Sequence, residues 1–302
     1  MEIIVFFIIL LIFFIMNSSQ KLKKHDEDPN IPSIVGIRNG NMFCTGFILD
    51  SDWVLTAARC VAASGITMVF AGTPDIYGPG AIEAQSSLIV KHPKYDYSIE
   101  ELGGHDIALI KVDLSFQLDK VKILPLSDEN WPLNDHTYKR FCKIIGFGSV
   151  EGDRDKPSLH VNEVFAEHGY KACSGCTEGD QQYQLVCLKR GDDIGICGSD
   201  IGGPLICDGK AVAVAHKIFK VGQCNNSRPN IKTKCHRKET VSAFMYICPY
   251  LGWISKYVDR TPVSCGKNLL LSSANSRAEL DFFAILQLFL STIRIISHFT
   301  VL

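Results

Sequence analysis

Twelve cysteines, all between Cys44 and Cys265, constrain this chain of 302 residues more than any other feature. An even number behind an apolar N-terminal segment reads as a disulfide framework built in an oxidising compartment. Zinc is the other use for such cysteines. Cys173 and Cys176 have the local spacing of a zinc pair, but no second pair or histidine cluster follows at a suitable distance, so no metal site and no cofactor is expected. The formal net charge of -1 argues against a nucleic-acid or polyanion binder.

The ends differ from the middle. Ile3–Met16 is an apolar run of about 14 residues, short of the roughly 20 that span a bilayer. With Asn17-Ser18-Ser19 behind it, this segment reads as a signal peptide over 1–19, and an uncleaved anchor is the competing reading because Glu2 stands where a basic residue is usual. Residues 20–33 are polar and proline-bearing and read as a linker. The stretch 261–302 reads as an extension with a hydrophobic C-terminal tail, and three readings of that tail stay open. Ser272–Ser276 followed by Phe282–Leu290 has the layout of a GPI-attachment signal, with a spacer of about seven residues against the usual eight to twelve. A spanning helix would bury Arg294 at a cost of about 2.5–3.5 kcal/mol. The third reading is a plain amphipathic extension.

Between the ends, short runs rich in β-branched and aromatic residues alternate with Gly, Pro, Asn and Asp. Met42–Leu49, Ile66–Ala71, Leu88–His92, Asp106–Val112, Phe141–Phe147, Leu205–Cys207 and Ala211–Phe219 are the clearest. This is the texture of an all-β barrel or sandwich protein. Only Pro249–Arg260 reads as a helix, with Leu251, Ile254 and Val258 three and four apart and proline in the first turn. Asn225-Asn226-Ser227 is a glycosylation sequon, with Asn225 as the acceptor.

Three stretches then carry a resemblance. Cys44–Leu49 with Trp53–Cys60, His105–Lys111 and Cys197–Leu205 stand in the order of the three motifs of the chymotrypsin-like (S1) serine protease family, whose third motif has the form Gly-Asp-Ser-Gly-Gly-Pro. Ile34-Val35-Gly36, Gly146–Ser149 and Tyr250–Ile254 add supporting matches. The resemblance covers about 34–260 and implies two packed six-stranded antiparallel β-barrels, about 34–140 and 141–248, closed by a C-terminal helix over 249–260. It also implies the pairs Cys44–Cys60, Cys142–Cys207 and Cys197–Cys224, with Cys187 bonded to either Cys173 or Cys176. Cys235, Cys248, Cys265 and the remaining one of Cys173 and Cys176 are extra, and their pairing stays open.

The family's chemistry needs a hydroxyl nucleophile, an imidazole base and a carboxylate that orients the imidazole. The resemblance places Asp106 at the carboxylate position, Arg59 at the base position and Ile201 at the nucleophile position. A guanidinium does not give up its proton in a protein, and isoleucine has no hydroxyl. Losing both groups leaves at most roughly 10³–10⁴ over water from binding and the oxyanion hole. Ser199 falls at an oxyanion-hole position, and Gly195, His216 and Lys217 fall at specificity-pocket positions. His105 is expected to face away from Asp106, as neighbours along a strand do. Arg59 and Asp106 are expected to form a partly buried ion pair, since an unpaired buried carboxylate is costly. Ile34 and Asp200 match an activation pocket, in which cleavage before the Ile-Val pair frees an amino group for the aspartate; Ser33 there is a poor target for trypsin-like activators.

The resemblance implies a secreted, non-catalytic serine protease homologue. It would act as a decoy, protease cofactor or adhesion protein on an unidentified protein partner, an active protease or its substrate being the candidates. An active S1 endopeptidase and a membrane-tethered surface recognition protein are the alternatives, and the hydrophobic tail leaves membrane association open.

Overall fold

The computed structural model describes residue 28 and residues 31–96, 104–132, 139–148, 159–169, 171–177, 181–188, 194–220 and 240–268. The signal-peptide segment, Cys224, Asn225, Cys235 and the hydrophobic tail fall outside the described residues.

Six strands form a first closed barrel: β1 (Ile34–Asn39), β2 (Met42–Asp50), β3 (Trp53–Thr56), β4 (Thr67–Ala71), β5 (Ile82–Lys91) and β6 (Ala108–Val112), joined in the order β1-β2-β3-β6-β5-β4. A two-residue strand β7 (Glu129–Asn130) lies between the barrels in sequence. The second closed barrel joins β8 (Arg140–Gly146), β9 (His160–His168), β10 (Leu185–Leu188), β11 (Pro204–Cys207), β12 (Lys210–Lys220) and β13 (Thr240–Tyr246) in the order β10-β13-β12-β11-β8-β9. All of these barrel pairings are antiparallel, as the sequence led us to expect. The apolar runs become strands because both barrels are lined from within by β-branched and aromatic side chains. Phe47, Ile48, Leu55, Ile107, Leu109 and Phe244 are fully buried. Each contributes about 1.5–3 kcal/mol relative to exposure.

The disulfides Cys44–Cys60, Cys142–Cys207 and Cys173–Cys187 form, so Cys173 takes Cys187. Cys176 and Cys197 are also disulfide-bonded. Cys224, the partner implied for Cys197, is outside the described residues. Cys248 pairs with Cys265. That link, together with a parallel pairing of β14 (Lys267–Asn268) on β7, returns the chain after the last helix to the body. The body therefore runs past 260, and the extension starts later than expected.

Two further boundaries are corrected. The helix expected over 249–260 is a 3-10 turn at Cys248–Tyr250 followed by a single α-helical turn, Leu251–Ile254. Leu251, Ile254 and Val258 are all buried as the spacing demanded, but Val258 is carried inward by turns. Of the expected linker, Asp28 makes an ion pair with Lys143 at 2.6 Å, and Ile31–Ser33 form a 3-10 turn packed against the body.

One buried histidine in the second barrel makes stability depend on pH. His168 is 5% exposed, packs against Tyr246 at 4.5 Å between ring centroids, and its Nδ1–H donates to the Leu185 carbonyl at 2.6 Å. Burial pushes its pKa from 6.5 down to about 4. A lowered folded pKa adds stability that is fully present above the unfolded value of about 6.5 and is lost as pH falls towards 4. The expected loss on acidification is ~3 kcal/mol from this group. Urea unfolding of a His168→Gln variant at several pH values tests it: the slope of stability against pH between 6 and 4.5 should be shallower than in the parent by roughly one proton. An unchanged slope would exclude His168 as its source.

Candidate functional site

The site is built where the two barrels meet. Thr56, at the end of β3, donates its hydroxyl to the Thr45 carbonyl at 2.8 Å. The Thr45 hydroxyl in turn donates to the Ser199 carbonyl at 2.7 Å and accepts from the Phe147 amide at 3.1 Å. Thr45 thus ties the first barrel to the Gly198–Asp200 turn of the second. It stands inside the first motif, yet its junction role was not read from the sequence, because nothing local to Cys44-Thr45-Gly46 indicates a partner 154 residues away.

After β3 the chain turns through a short 3-10 helix, Ala58–Val61, held by the Cys44–Cys60 bridge. This places Arg59 over Asp106. The Arg59 amide donates to Asp106 Oδ1 at 2.8 Å and its Nε donates to Oδ2 at 2.5 Å. Side-chain exposure is 31% for Arg59 and 1% for Asp106, so the expected ion pair is present with its anionic half sealed inside. Burial would raise the Asp106 pKa, but the Arg59 charge and the hydrogen bond with His216 outweigh it and hold the carboxyl below its usual range.

His216 completes the cluster. Its Nδ1 lies 2.9 Å from Asp106 Oδ2 and 3.1 Å from Arg59 Nη2. Donating the Nδ1 hydrogen to the carboxylate, the stronger acceptor, leaves Nε2 as a buried lone pair with no hydrogen-bond partner among the described residues. Burial first, and the Arg59 charge second, lower the His216 pKa and keep the ring neutral. The sequence placed His216 at a specificity pocket; its side chain, 2% exposed, instead turns inward onto Asp106. The cause is a β-bulge. Ala215 faces Phe244 and Lys217 faces Ala243, which leaves His216 as the extra residue whose direction the bulge resets. Lys217 stays half-buried beside it.

His105 faces away from this cluster, as expected, but not for the expected reason. It precedes β6 and has φ +49°, so no strand alternation applies. Its ring stacks on His92 at 5.0 Å and its Nδ1 is 3.1 Å from the Tyr250 hydroxyl. Burial, and then the charge of Lys94, lower its pKa.

Ile201 is 9% exposed and belongs to the apolar core at the junction of the barrels. Its carbonyl accepts from the Thr45 amide at 2.9 Å, and its own amide reaches back to the Gly198 carbonyl at 3.4 Å. That amide is therefore turned into the 3-10 turn Gly198–Asp200 rather than towards a ligand. Ser199, half-buried, sits in the same turn. Gly195 is buried, and a methyl group in place of its hydrogen would lie 2.7 Å from Ser242 Oγ.

The activation-pocket reading of Ile34 is corrected. Ile34 is the first residue of β1, buried and paired with Phe47 in the barrel wall, and Ser33 before it is buried too. Cutting there would leave Ile34 in its strand. Asp200 meanwhile has partners of its own: Oδ1 accepts from the Gly148 amide at 2.7 Å and lies 3.4 Å from His160 Nε2, and Oδ2 accepts from the Cys197 amide at 2.7 Å. Among the described residues no three His, Cys, Asp or Glu side chains gather as a metal site would.

The family model described as Trypsin matches residues 23–253, and the chain belongs to that family, the trypsin-like S1 serine proteases. The match begins ahead of Ile34, in agreement with the packed position of Asp28. Kallikrein-8 of Homo sapiens is 27% identical over 225 residues, covering 72% of this chain and 77% of that protein. Trypsin II-P29 of Gallus gallus is 25% identical over 233 residues, covering 76% and 85%. Among solved structures, neuropsin, a serine protease expressed in the limbic system of mouse brain, superposes with a TM-score of 0.62 at 27% identity, covering 76% of this chain and 95% of that one.

Proposed function

We propose that the chain is a non-catalytic member of its family, secreted and acting as a binding or regulatory protein. One observation carries the reading: the group hydrogen-bonded to Asp106 from the first motif is the guanidinium of Arg59, at 2.5 Å. In the S1 mechanism that carboxylate orients an imidazole able to take and return a proton. Arginine stays protonated throughout and cannot act as the base. At the nucleophile position, Ile201 offers no side-chain hydroxyl, and its amide is turned onto the Gly198 carbonyl. Transition-state stabilisation then lacks the base, the nucleophile and one oxyanion donor together.

The active-endopeptidase reading has one observation in its favour. His216 has the Asp-oriented Nδ1 of a catalytic imidazole, at 2.9 Å from Oδ2. Its Nε2, however, is buried and has no hydroxyl partner among the described residues, so none of them is there for it to activate. Secretion is supported by the disulfides among the described residues, which suit an oxidising compartment, and by the apolar run Ile3–Met16 in the sequence. The partner we expect is a protein, an active protease or its substrate. Tethering at a membrane rests on residues 269–302, and no helix of the described residues is long and apolar enough to cross a bilayer.

The test is a fluorophosphonate probe with a mixed peptide-substrate panel, applied to the parent and to an Arg59→His, Ile201→Ser double variant. The parent should neither label nor turn over substrate. Labelling of the parent would sink the reading.

A further inference from the structure

We propose that the Cys248–Cys265 bond is a redox-modification site, a latch that a dithiol reductant opens in the folded protein to free the C-terminal segment from the body. The inference does not depend on the non-catalytic reading. Access separates this bond from the others. Cys44, Cys60, Cys142, Cys207, Cys173 and Cys187 are each 3% exposed or less, and the bonded Cys176 and Cys197 are buried as well. Cys248 and Cys265 are both half-buried. Cys265 lies between exposed Ser264 and Gly266, whereas Cys248 follows the buried Ile247. Thiol–disulfide exchange needs a thiolate to reach a sulfur, so a bond sealed in a barrel reacts only after that barrel opens. Cys265 Sγ is the sulfur a reductant meets first.

Placement separates it too. Cys142–Cys207 joins β8 to β11, two strands already paired to each other in a closed barrel. Cys248–Cys265 instead joins the body to a segment that lies on its surface. From Asp259 to Gly266 every residue is exposed or half-buried, and Val263 is 69% exposed. Among the described residues past Thr261, the main-chain ties to the body are the Gly266 amide, which donates to the Asp128 carbonyl at 3.1 Å, and the pairing of β14 with β7. A pairing two residues long is marginal by itself. The bridge, across a sequence separation of 17, holds that pairing in place: Cys248 Sγ lies 3.5 Å from Asn130 Oδ1, at the end of β7. Opening the bond returns the chain entropy it had removed and leaves the segment to a few exposed hydrogen bonds. The step is a pair of exchanges. A thiolate of the reductant bonds to Cys265 Sγ as the Sγ–Sγ bond breaks and Cys248 leaves as thiolate. The second thiolate of the reductant then bonds to the first and expels Cys265. The dithiol becomes a disulfide, the protein gains two electrons, and both cysteines take up the protons the reductant lost.

Dithiothreitol titrated into the full-length oxidised protein under native conditions, with iodoacetamide quenching and peptide mass spectrometry, tests this. Cys248 and Cys265 should be alkylated at least about tenfold faster than the cysteines of the three buried bridges. Once this bond alone is open, hydrogen exchange should show protection lost in the peptide holding Gly266, while peptides from β2, β8 and β13 keep theirs. A Cys248→Ser, Cys265→Ser variant should show the same local loss without reductant. Reactivity equal to or slower than that of the buried bridges, or an opened bond with the Gly266 peptide still protected, would each overturn the proposal. If the double variant does not fold, reduction and exchange measured on the parent decide alone.

Discussion

Replacing Arg59 with leucine should cost about 3 kcal/mol or more of unfolding free energy at pH 7, with the loss shrinking as the pH is lowered. The substitution removes the charge that holds the Asp106 carboxyl below its usual range and leaves that carboxylate buried. In the parent, a folded pKa below the unfolded one adds stability that is present above the unfolded value and disappears as pH falls through the folded value. In the variant the sign reverses. Burial now raises the folded pKa above the unfolded one, so the penalty is full at neutral pH and fades as the carboxyl takes up its proton. His216 touches the same Oδ2 and is the remaining candidate to carry a compensating charge. Urea unfolding at pH 7 and 4.5 reads the effect, and Arg59→Leu combined with Asp106→Asn should regain most of it by removing the stranded charge. A loss under about 1 kcal/mol that is the same at both pH values would mean the pair contributes no more than an exposed one.

That cluster also marks the limit of what the sequence discloses. The two barrels were legible because β-branched runs between turn signals set strands and faces locally, and the ordered motifs supplied the topology. The Arg59–Asp106 contact was legible for a different reason: a buried carboxylate demands a partner, and one cation stood at the right motif position. His216 was not legible as its third member. Its inward direction is set by a one-residue bulge against β13, and register against a distant strand leaves no mark in Ala215-His216-Lys217. Ile34-Val35-Gly36 misled because an apolar triplet reads alike as a freed N-terminus or as a barrel strand. Its distance from Cys44, spanned by one hairpin through Gly40, leaves room only for the strand. The helix over 249–260 was too long because buried positions three and four apart can also be reached by successive turns. Here Arg260, at φ +65°, ends the segment. The choice of Cys173 over Cys176 was beyond reach, since two cysteines three residues apart look equivalent to Cys187 until the 3-10 turn Ala172–Gly175 orients them.

The second large effect is expected next to Ile201, at Gly202. The chain passes here with φ +87°, a conformation that costs a residue with a side chain about 1–2 kcal/mol. Space is also lacking: a Cβ would lie 2.2 Å from the Thr45 carbonyl oxygen and 2.2 Å from Thr56 Oγ1. Neither neighbour can yield cheaply, because Thr56 donates to that same carbonyl and the Thr45 amide holds the Ile201 carbonyl. Forcing extra atoms into such packing adds about 1–3 kcal/mol, so Gly202→Ala should lose about 2–5 kcal/mol in all. Gly209 separates the two contributions. It has a similar φ of +76° in the β11–β12 turn, but nothing lies within 4 Å of a Cβ built there. Gly209→Ala should therefore cost only the conformational part, about 1–2 kcal/mol. Equal losses from the two variants in urea unfolding would mean that the Thr45–Thr56 junction is soft. The strapping of the Gly198–Gly203 segment onto the first barrel, on which the buried placement of Ile201 depends, would then be weaker than its hydrogen bonds imply.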